Sequence, residues 1–351
     1  MRYNKAMSPT NVIPVALRRL AALLLCLVLV GCAKPGPDDA FQNYLSRLAR
    51  TLDQSVPDRV EPDWPRMPRV SELQLTLEGS TLDTLDFLAL SGCAVQVTIG
   101  KRNSSLGRTA PPSQRLLLDL EYLELAPDCI ASLEKDDESA LADTLESAWQ
   151  QKRAQLPARL FNATLASDEF RAFWRKPRAL QDYPAQTSSR IITALESITA
   201  LARQWQAGDF SADNQGFEIL LSEVAIGDGG ALLWALSLQS GWLAAGDSLV
   251  AAREQVGPLC GPQLRWPEAD ILQTVVHKYF IGEVQPWSAA VGRRHHELMT
   301  AFRALESEMT TALPPGYLEW RDARDRYIEL TTAAPQNHVA ALKTLLDPCQ
   351  S

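Results

Sequence analysis

The chain has 351 residues, with 34 basic and 42 acidic side chains and a formal net charge of −8. An acidic surface argues against nucleic acid as a partner and against electrostatic adhesion to an anionic lipid surface, because both carry negative charge themselves. The length allows one large domain or two modest ones after a leader is removed.

The first 31 residues have the order of a secretory signal peptide. Four basic residues precede an uncharged apolar run at residues 20–30: Arg2, Lys5, Arg18 and Arg19. The eleven residues of this run are too few to span a bilayer with ease, and a basic segment followed by a short apolar segment and a small residue is typical of an exported protein. Residues 29–32, Leu-Val-Gly-Cys, resemble the lipobox of bacterial lipoproteins. That resemblance implies that Cys32 takes a diacylglycerol and becomes the acylated first residue of the mature chain.

Lipid attachment at Cys32 would hold the protein at the periplasmic face of the outer membrane. Three acyl chains exceed the two signals that stable anchoring needs, and by resemblance to known sorting rules Ala33 favours the outer membrane over the inner one. The leader holds four basic and no acidic residues, so its removal takes the formal charge from −8 to −12. Attachment would therefore come from the acyl chains and not from charge.

These observations divide the chain into three parts. We predict a signal peptide over residues 1–31, a lipid-anchored tether over residues 32–40 and a single helical periplasmic domain over residues 41–351. A division of that domain into sub-lobes at residues 41–165 and 166–351 is left open.

Helical periodicity dominates the predicted domain. Apolar side chains recur at spacings of three and four, as on the buried face of an amphipathic helix, in four stretches: residues 41–52, 191–205, 271–280 and 298–309. The uncharged run from Gly229 to Ala245 contains polar residues and glycines, which favours a buried helix over a membrane span. Residues 314–316, Pro-Pro-Gly, divide what would otherwise be one helix from Ser288 to Leu330.

Three segments compete for a strand assignment. Residues 73–77 and 95–99 alternate strictly between apolar and polar side chains, and residues 118–125 do so in part. Ser80 and Thr81, by contrast, resemble a helix start. We predict a mainly α fold, an irregular multi-helix bundle with at most a small β element near residues 70–78.

Four cysteines remain once the leader is removed and Cys32 carries lipid: Cys93, Cys129, Cys260 and Cys349. An even number in an exported protein indicates two disulfides, for which three connectivities exist. We favour Cys93–Cys129 with Cys260–Cys349, because each half of the chain would then be closed on itself. Closing loops of ~35 and ~90 residues would stabilise the fold by roughly 4 kcal/mol each in the loop-entropy description. The absence of a Cys-x-x-Cys pair argues against a thiol-redox or zinc role.

Familiar catalytic signatures are absent from the sequence. Residues 295–297, His-His-Glu, lack the second histidine of a zinc-protease helix, and residues 132–135, Ser-Leu-Glu-Lys, lack the companion motifs of penicillin-binding enzymes. No Gly-x-Ser-x-Gly elbow occurs. We predict no catalytic residue, no cofactor and no metal site, including at His277, His295 and His296.

The segment Lys101–Arg108 is the one that suggests ligand chemistry. Its candidate ligand-binding residues are Arg102, Asn103, Ser104 and Arg108. Guanidinium groups beside a turn with free amides and hydroxyls can capture an anion such as phosphate. The same residues also fit a helix end followed by a turn, with cations matching the helix dipole.

Several strings of the sequence resemble those of one family. They are Ser91-Gly92-Cys93, Arg102-Asn103-Ser104-Ser105-Leu106-Gly107, Ser113-Gln114-Arg115-Leu116, Cys129-Ile130, Tyr279-Phe280-Ile281-Gly282 and Gln285-Pro286. Together they resemble a family of proteobacterial lipoproteins known as domain of unknown function 3080. The resemblance covers most of the mature chain. It implies an exported, lipid-anchored domain with paired cysteines, and it implies neither an activity nor a catalytic residue.

Two hypotheses for function follow. The first is a non-enzymatic envelope protein, a scaffold or a binding partner of other envelope proteins. The second is a periplasmic ligand-binding protein or enzyme with an anion-binding site around Arg102–Arg108, with His277 or His295 drawn into it. Convergence of these side chains in a concave pocket would favour the second hypothesis. If Arg102 and Arg108 point apart into solvent, the first is favoured.

Overall fold

Helices occupy most of the chain in a computed structural model, which describes residues 36–78, 84–261 and 264–349. This arrangement confirms the mainly α, irregular multi-helix fold. The signal peptide, Cys32, residues 32–35 of the tether and the helix start expected at Ser80 and Thr81 lie outside the described residues.

The described chain begins with a long helix and a proline-rich strap. Helix α1 (Pro37–Thr51) buries Phe41, Tyr44 and Leu48 on one face, and acidic residues in its first turn match the positive end of the helix dipole. Residues 54–69 then run without helix and contain four prolines, which cannot continue a helix interior. The short helix α2 (Val70–Leu73) follows and leads into an extended segment at residues 74–78.

The next part of the chain forms a helical layer that one disulfide crosses. Its helices are α3 (Thr84–Ala89), α4 (Val95–Asn103), α5 (Ser105–Thr109), α6 (Pro112–Lys135), α7 (Ser139–Ala154) and α8 (Leu156–Ala163). Helices α4, α6 and α7 enclose an apolar cluster that includes Val95, Tyr122 and Leu145. The Cys93–Cys129 disulfide, with its Cα atoms 5.4 Å apart, ties the start of α4 to α6.

The middle of the chain contributes the central helix of the fold. The helices here are α9 (Asp168–Phe173), α10 (Arg190–Gln206), α11 (Asn214–Ala225) and α12 (Gly229–Glu254). Gly230 lies near the start of α12, where a Cβ atom would come within 2.0 Å of the carbonyl oxygen of Arg175, so no larger residue fits this close approach.

The C-terminal part contains a small hairpin and the remaining helices. Its elements are β1 (Cys260–Gly261), β2 (Leu264–Arg265), α13 (Pro267–Val275), a π-helix (Val276–Val284), α14 (Gln285–Ser307), α15 (Pro315–Thr332) and α16 (Ala334–Leu346), with 3₁₀ turns at Thr310–Ala312 and Asp347–Cys349. The break between α14 and α15 covers residues 308–314 and ends at the predicted Pro-Pro-Gly sequence, whose second proline begins α15. The Cys260–Cys349 disulfide joins the hairpin to the last described residue, so both bridges have the pairing we favoured.

The alternating segments do not form strands. Val95 and Ile99 are buried on one face of α4, whereas Val97 between them is 61% exposed, because a five-residue alternation fits helical spacing of four as well as a strand. Residues 74–78 are extended but lack a strand partner among the described residues. The β element of the described chain is the antiparallel pair β1–β2, so it lies at residues 260–265 and not near residues 70–78.

The long apolar run is part of the helical core. Helix α12 contacts α1, α14, α15 and α16, and Leu232, Leu236 and Leu243 along it are buried. Among the described residues, one stretch is long and apolar enough to cross a membrane: Asn214–Glu254, which contains α12. Half of its most apolar window is buried inside the fold. A core helix of a globular domain has these properties as well.

Candidate functional site

A cavity of about 580 Å³ lies between α4, α6, α7, α8 and the extended segment at residues 74–78. Eight polar or charged side chains of the four helices line it: Thr98, Arg102, Asn103, Arg115, Asp119, Lys152, Arg159 and Asn162. Side chains with apolar surface, among them Leu75, Leu77, Leu118 and Tyr122, form another part of the wall. Four polar side chains of residues 71–78 complete it: Ser71, Gln74, Thr76 and Glu78.

Helical spacing explains how these residues reach one space. Side chains three or four positions apart lie on the same face of a helix, and α6 presents Arg115, Asp119 and Tyr122 to the cavity in this way. Leu117 and Leu120 on other faces of α6 are buried in the main core. Residues 98 and 102 on α4, 148 and 152 on α7, and 159 and 162 on α8 follow the same spacing.

Asp119 is the centre of the charged part of the wall. Its side chain is 1% exposed, and its two oxygens accept hydrogen bonds from Lys152 Nζ, at 2.5 Å, and from the Arg159 guanidinium. Arg102 Nε lies 3.9 Å from Asp119 Oδ1, which is close enough for charge attraction and too long for a hydrogen bond. One buried carboxylate is thus shared among three cations.

The wall carries more positive charge than it neutralises. Four basic side chains line the cavity, and the acidic side chains among the described lining residues are the buried Asp119 and the exposed Glu78. Four buried polar atoms of the wall have no hydrogen-bond partner among the described residues: the Nε atoms of Arg102, Arg115 and Arg159, and Oγ1 of Thr98. A buried donor left unpaired costs about 1–3 kcal/mol. The atoms themselves have almost no accessible surface, so what the cavity presents to an acceptor is the charge of the basic side chains that line it.

Burial shifts the pKa of three side chains of the wall. It lowers the pKa of the Lys152 ammonium, and the neighbouring Arg159 and Arg102 charges act in the same direction, while Asp119 opposes them. Burial also lowers the pKa of Arg159, although a guanidinium stays charged at any physiological pH. The Tyr122 hydroxyl donates to the carbonyl oxygen of Leu145 at 2.9 Å, and burial raises its pKa, so it remains neutral and already paired.

The four candidate residues of the Lys101–Arg108 segment divide into two pairs. Arg102 and Asn103 line the cavity, whereas Ser104 and Arg108 are exposed and lie outside its lining. Ser104 caps α5, because its Oγ accepts from the backbone N–H of Gly107 at 3.0 Å. A Cβ at Gly107 would come within 2.1 Å of the carbonyl oxygen of Lys101, which explains the glycine of this string. The segment is thus both a helix end with a turn and part of a pocket wall.

Sequence reasoning missed Arg115, Asp119, Lys152 and Arg159. A signal existed for the first two, because Arg115 and Asp119 are charged residues four apart within an otherwise apolar run of α6. Lys152 and Arg159 carried no such signal, since they lie on other helices and meet Asp119 only through the tertiary fold.

The histidines considered for this site lie elsewhere. His277 and His295 belong to two other surface depressions, and His295 lines one with Arg303 and Asp325. Burial and the nearby Arg303 charge lower the pKa of His295. Within the described part of the chain, no cluster of three or more His, Cys, Asp or Glu side chains could hold a metal ion.

Comparison with known proteins assigns the chain to one family. No curated protein and no solved structure shows a significant match to the chain. The family described as protein of unknown function (DUF3080) matches residues 41–351, a range that includes every residue of the cavity wall named above. The match covers most of the sequence, and the chain therefore belongs to the DUF3080 family.

Proposed function

We propose that this protein is a lipid-anchored envelope protein that binds an anionic ligand in the cavity around Asp119. One observation carries the proposal: four basic side chains line the cavity, and the acidic side chains among its described lining residues are Asp119 and Glu78. An anion that enters the cavity would pair with these cations and balance the excess positive charge.

The energetics favour an anion over a neutral ligand. Hydrogen bonds to charged groups contribute about 1.5–3 kcal/mol each, and arginine pairs well with carboxylate and phosphate because its donors form a planar fork. Arg102 is the most accessible cation of the Asp119 cluster, with 27% of its side chain exposed against 13% for Lys152 and 8% for Arg159. An incoming anion would therefore reach Arg102 first.

The cavity supports ligand binding over a purely structural role. A scaffold would act through its outer surface and would not need a cavity lined by excess positive charge. The lipobox at Cys32 and the acidic net charge support the periplasmic, lipid-anchored part of the proposal. Both features are properties of the sequence.

A phosphate titration tests the proposal. The full-length protein, purified from membranes in a non-ionic detergent, is titrated with sodium phosphate at constant ionic strength, and binding is followed by calorimetry and by the rise in Tm. We expect saturable binding that Arg102→Met abolishes and Arg102→Lys partly retains.

Arg108→Met is the matched control, because Arg108 lies in the same segment, is exposed and does not line the cavity. Phosphate that has no more effect than sodium chloride, or that binds equally well to wild type and to a correctly folded Arg102→Met variant, would contradict an anion site.

A further inference from the structure

The size of the cavity gives information about the ligand beyond its charge. A volume of about 580 Å³ falls within the range of about 300–1,000 Å³ that is typical of sites for drug-sized organic ligands. A bare phosphate or sulfate would fill a small part of this space and leave the rest to water. The ligand that fits the cavity therefore has a body in addition to its anionic group.

The apolar part of the wall indicates what kind of body this is. Leu75, Leu77 and Leu118 line the cavity and are only half-buried, so each leaves apolar surface uncovered when the cavity holds water. Covering apolar surface contributes about 25 cal/mol per Å². The Tyr122 ring is also part of the wall, with Lys152 Nζ 5.3 Å from its centre.

Three uncharged polar side chains of the wall are buried; those of Asn162 and Tyr122 are in use, and the Thr98 hydroxyl has no partner among the described residues. Both functions of the Asn162 amide are bonded to the backbone of Leu75, and the Tyr122 hydroxyl is bonded to Leu145. Other uncharged polar residues of the wall, such as Ser71 and Thr76, are exposed and lie toward solvent. A hydroxyl-rich body such as a sugar would find few uncharged partners deep in this wall, and a hydroxyl that is buried without a partner loses its hydrogen bonds to water.

We propose that the ligand is an amphiphilic anion, in which a phosphate or a carboxylate group is joined to an apolar body. The anionic group pairs with Arg102, Arg115 and Arg159, and the body covers Leu75, Leu77 and Leu118. This inference rests on the proposed anion site and adds the chemical class of its ligand.

The test separates the anionic group from the body. Four water-soluble probes are titrated into the full-length protein: inorganic phosphate, 1-naphthyl phosphate, glucose 6-phosphate and the neutral 1-naphthol. We expect 1-naphthyl phosphate to bind at least about tenfold tighter than inorganic phosphate, which is about 1.4 kcal/mol. Glucose 6-phosphate should bind no tighter than inorganic phosphate, and 1-naphthol should bind more weakly than 1-naphthyl phosphate. A titration with 1-naphthoate distinguishes a carboxylate from a phosphate group.

Two variants assign the effect to the apolar wall. Leu118→Ser should weaken 1-naphthyl phosphate binding several-fold and leave inorganic phosphate binding unchanged, whereas Leu106→Ser, at an 83% exposed position outside the cavity lining, should change neither. Unchanged phosphate binding also shows that the variant is folded.

The possible failures point to different conclusions. If inorganic phosphate binds but 1-naphthyl phosphate gains nothing, or if glucose 6-phosphate binds as tightly as 1-naphthyl phosphate, the amphiphile inference is wrong and the anion site stands. If 1-naphthol binds as tightly as 1-naphthyl phosphate and Arg102→Met changes neither affinity, the anion site itself is wrong. Failure of every probe to bind would contradict both proposals.

Discussion

The side chain of Asn162 hydrogen-bonds to the backbone of Leu75 in both directions. Its Oδ1 accepts from the Leu75 N–H and its Nδ2 donates to the Leu75 carbonyl oxygen, each at 2.8 Å. The amide therefore takes the place of a neighbouring strand for the extended segment at residues 74–78. Since Leu75 and Leu77 line the cavity, this one side chain on α8 holds a wall of the site.

Replacing Asn162 by alanine should weaken both the fold and the site. The loss of two hydrogen bonds at about 1 kcal/mol each predicts a free energy of unfolding that is lower by roughly 1–3 kcal/mol, because the Leu75 backbone groups lose their partners. Urea denaturation measures this change, and the affinity for 1-naphthyl phosphate should fall with it. Asn337→Ala, at an exposed position on α16, is the control. Equal stability of the two variants would show that the pairing contributes nothing.

A buried ion pair in the main core should be sensitive to the loss of one partner. Arg324 is fully buried and donates two hydrogen bonds to Glu306, at 2.8 and 3.0 Å, while the Tyr317 hydroxyl donates a third to the same carboxylate at 2.6 Å. Arg324→Met removes the charge partner of buried Glu306, and we expect the free energy of unfolding to fall by roughly 3–5 kcal/mol.

A second substitution checks that reason. Arg324→Met combined with Glu306→Gln should be more stable than Arg324→Met alone, because the amide needs no counter-charge and still accepts from Tyr317. Arg203→Ala breaks an ion pair whose arginine side chain is 61% exposed, and it should cost less than about 1 kcal/mol. A double variant as unstable as the single one would exclude the uncompensated Glu306 charge as the cause.

The two disulfides should differ in their effect on the cavity. Each closes a loop, with separations of 36 and 89 residues, and the loop-entropy description gives roughly 4 kcal/mol for each bridge. Cys93–Cys129 also ties the start of α4, which carries Thr98 and Arg102, to α6, whereas Cys260–Cys349 lies among elements that do not line the cavity.

Replacing each pair of cysteines by alanine separates these roles. Both double variants should show a lower Tm, but only Cys93→Ala/Cys129→Ala should also bind 1-naphthyl phosphate more weakly, measured at a temperature where both variants remain folded. Equal affinities for the two variants would show that the bridge does not position α4.

The sequence was sufficient to predict the features that depend on local pattern. Phe41, Leu45 and Leu48 are buried at the spacing that indicated a helix, and the break between α14 and α15 lies at the prolines. The position of the β element was not predictable in this way, because a short alternation of apolar and polar residues fits a helix as well as a strand. Residues 95–99 alternate over only five positions, and they form a helix. The pairing that holds Leu75 extended comes from Asn162, 87 positions away.

The sequence predicted only those cavity residues that belong to the Lys101–Arg108 segment. Arg102 and Asn103 stood out because cations and polar residues cluster beside a turn. Asp119 bonds to Arg159, 40 positions away, and to Lys152, 33 positions away. Residue spacing along the sequence does not indicate which charged side chains of different helices will lie together. Ser104 and Arg108 fit the same local pattern as Arg102, but Ser104 caps α5, Arg108 belongs to α5, and neither lines the cavity.

Lys152 should make anion binding depend on pH in the alkaline range. Burial, together with the Arg159 and Arg102 charges, lowers the pKa of this ammonium below its ordinary value of 10.5. At pH values below the lowered pKa the side chain is charged, and affinity for an anion should not vary. As the pH rises through it, the wall loses one positive charge. A unit charge about 8 Å from the anion is worth about 2 kcal/mol at an effective dielectric constant of about 20, so the affinity should fall roughly thirtyfold.

The stability of the free protein should change in the opposite sense over the same range. Between the lowered pKa and 10.5 the unfolded chain binds more protons at this position than the folded one, so the contribution of Lys152 to the free energy of unfolding rises with pH. Titrations with 1-naphthyl phosphate at pH 7, 8, 9 and 10 use a probe whose own charge stays constant, since its second pKa is about 6. Lys152→Arg keeps its charge at each pH and should retain full affinity at pH 10. If Lys152→Arg loses affinity together with wild type, another group titrates in the site, and Lys152 does not set the charge that the anion meets.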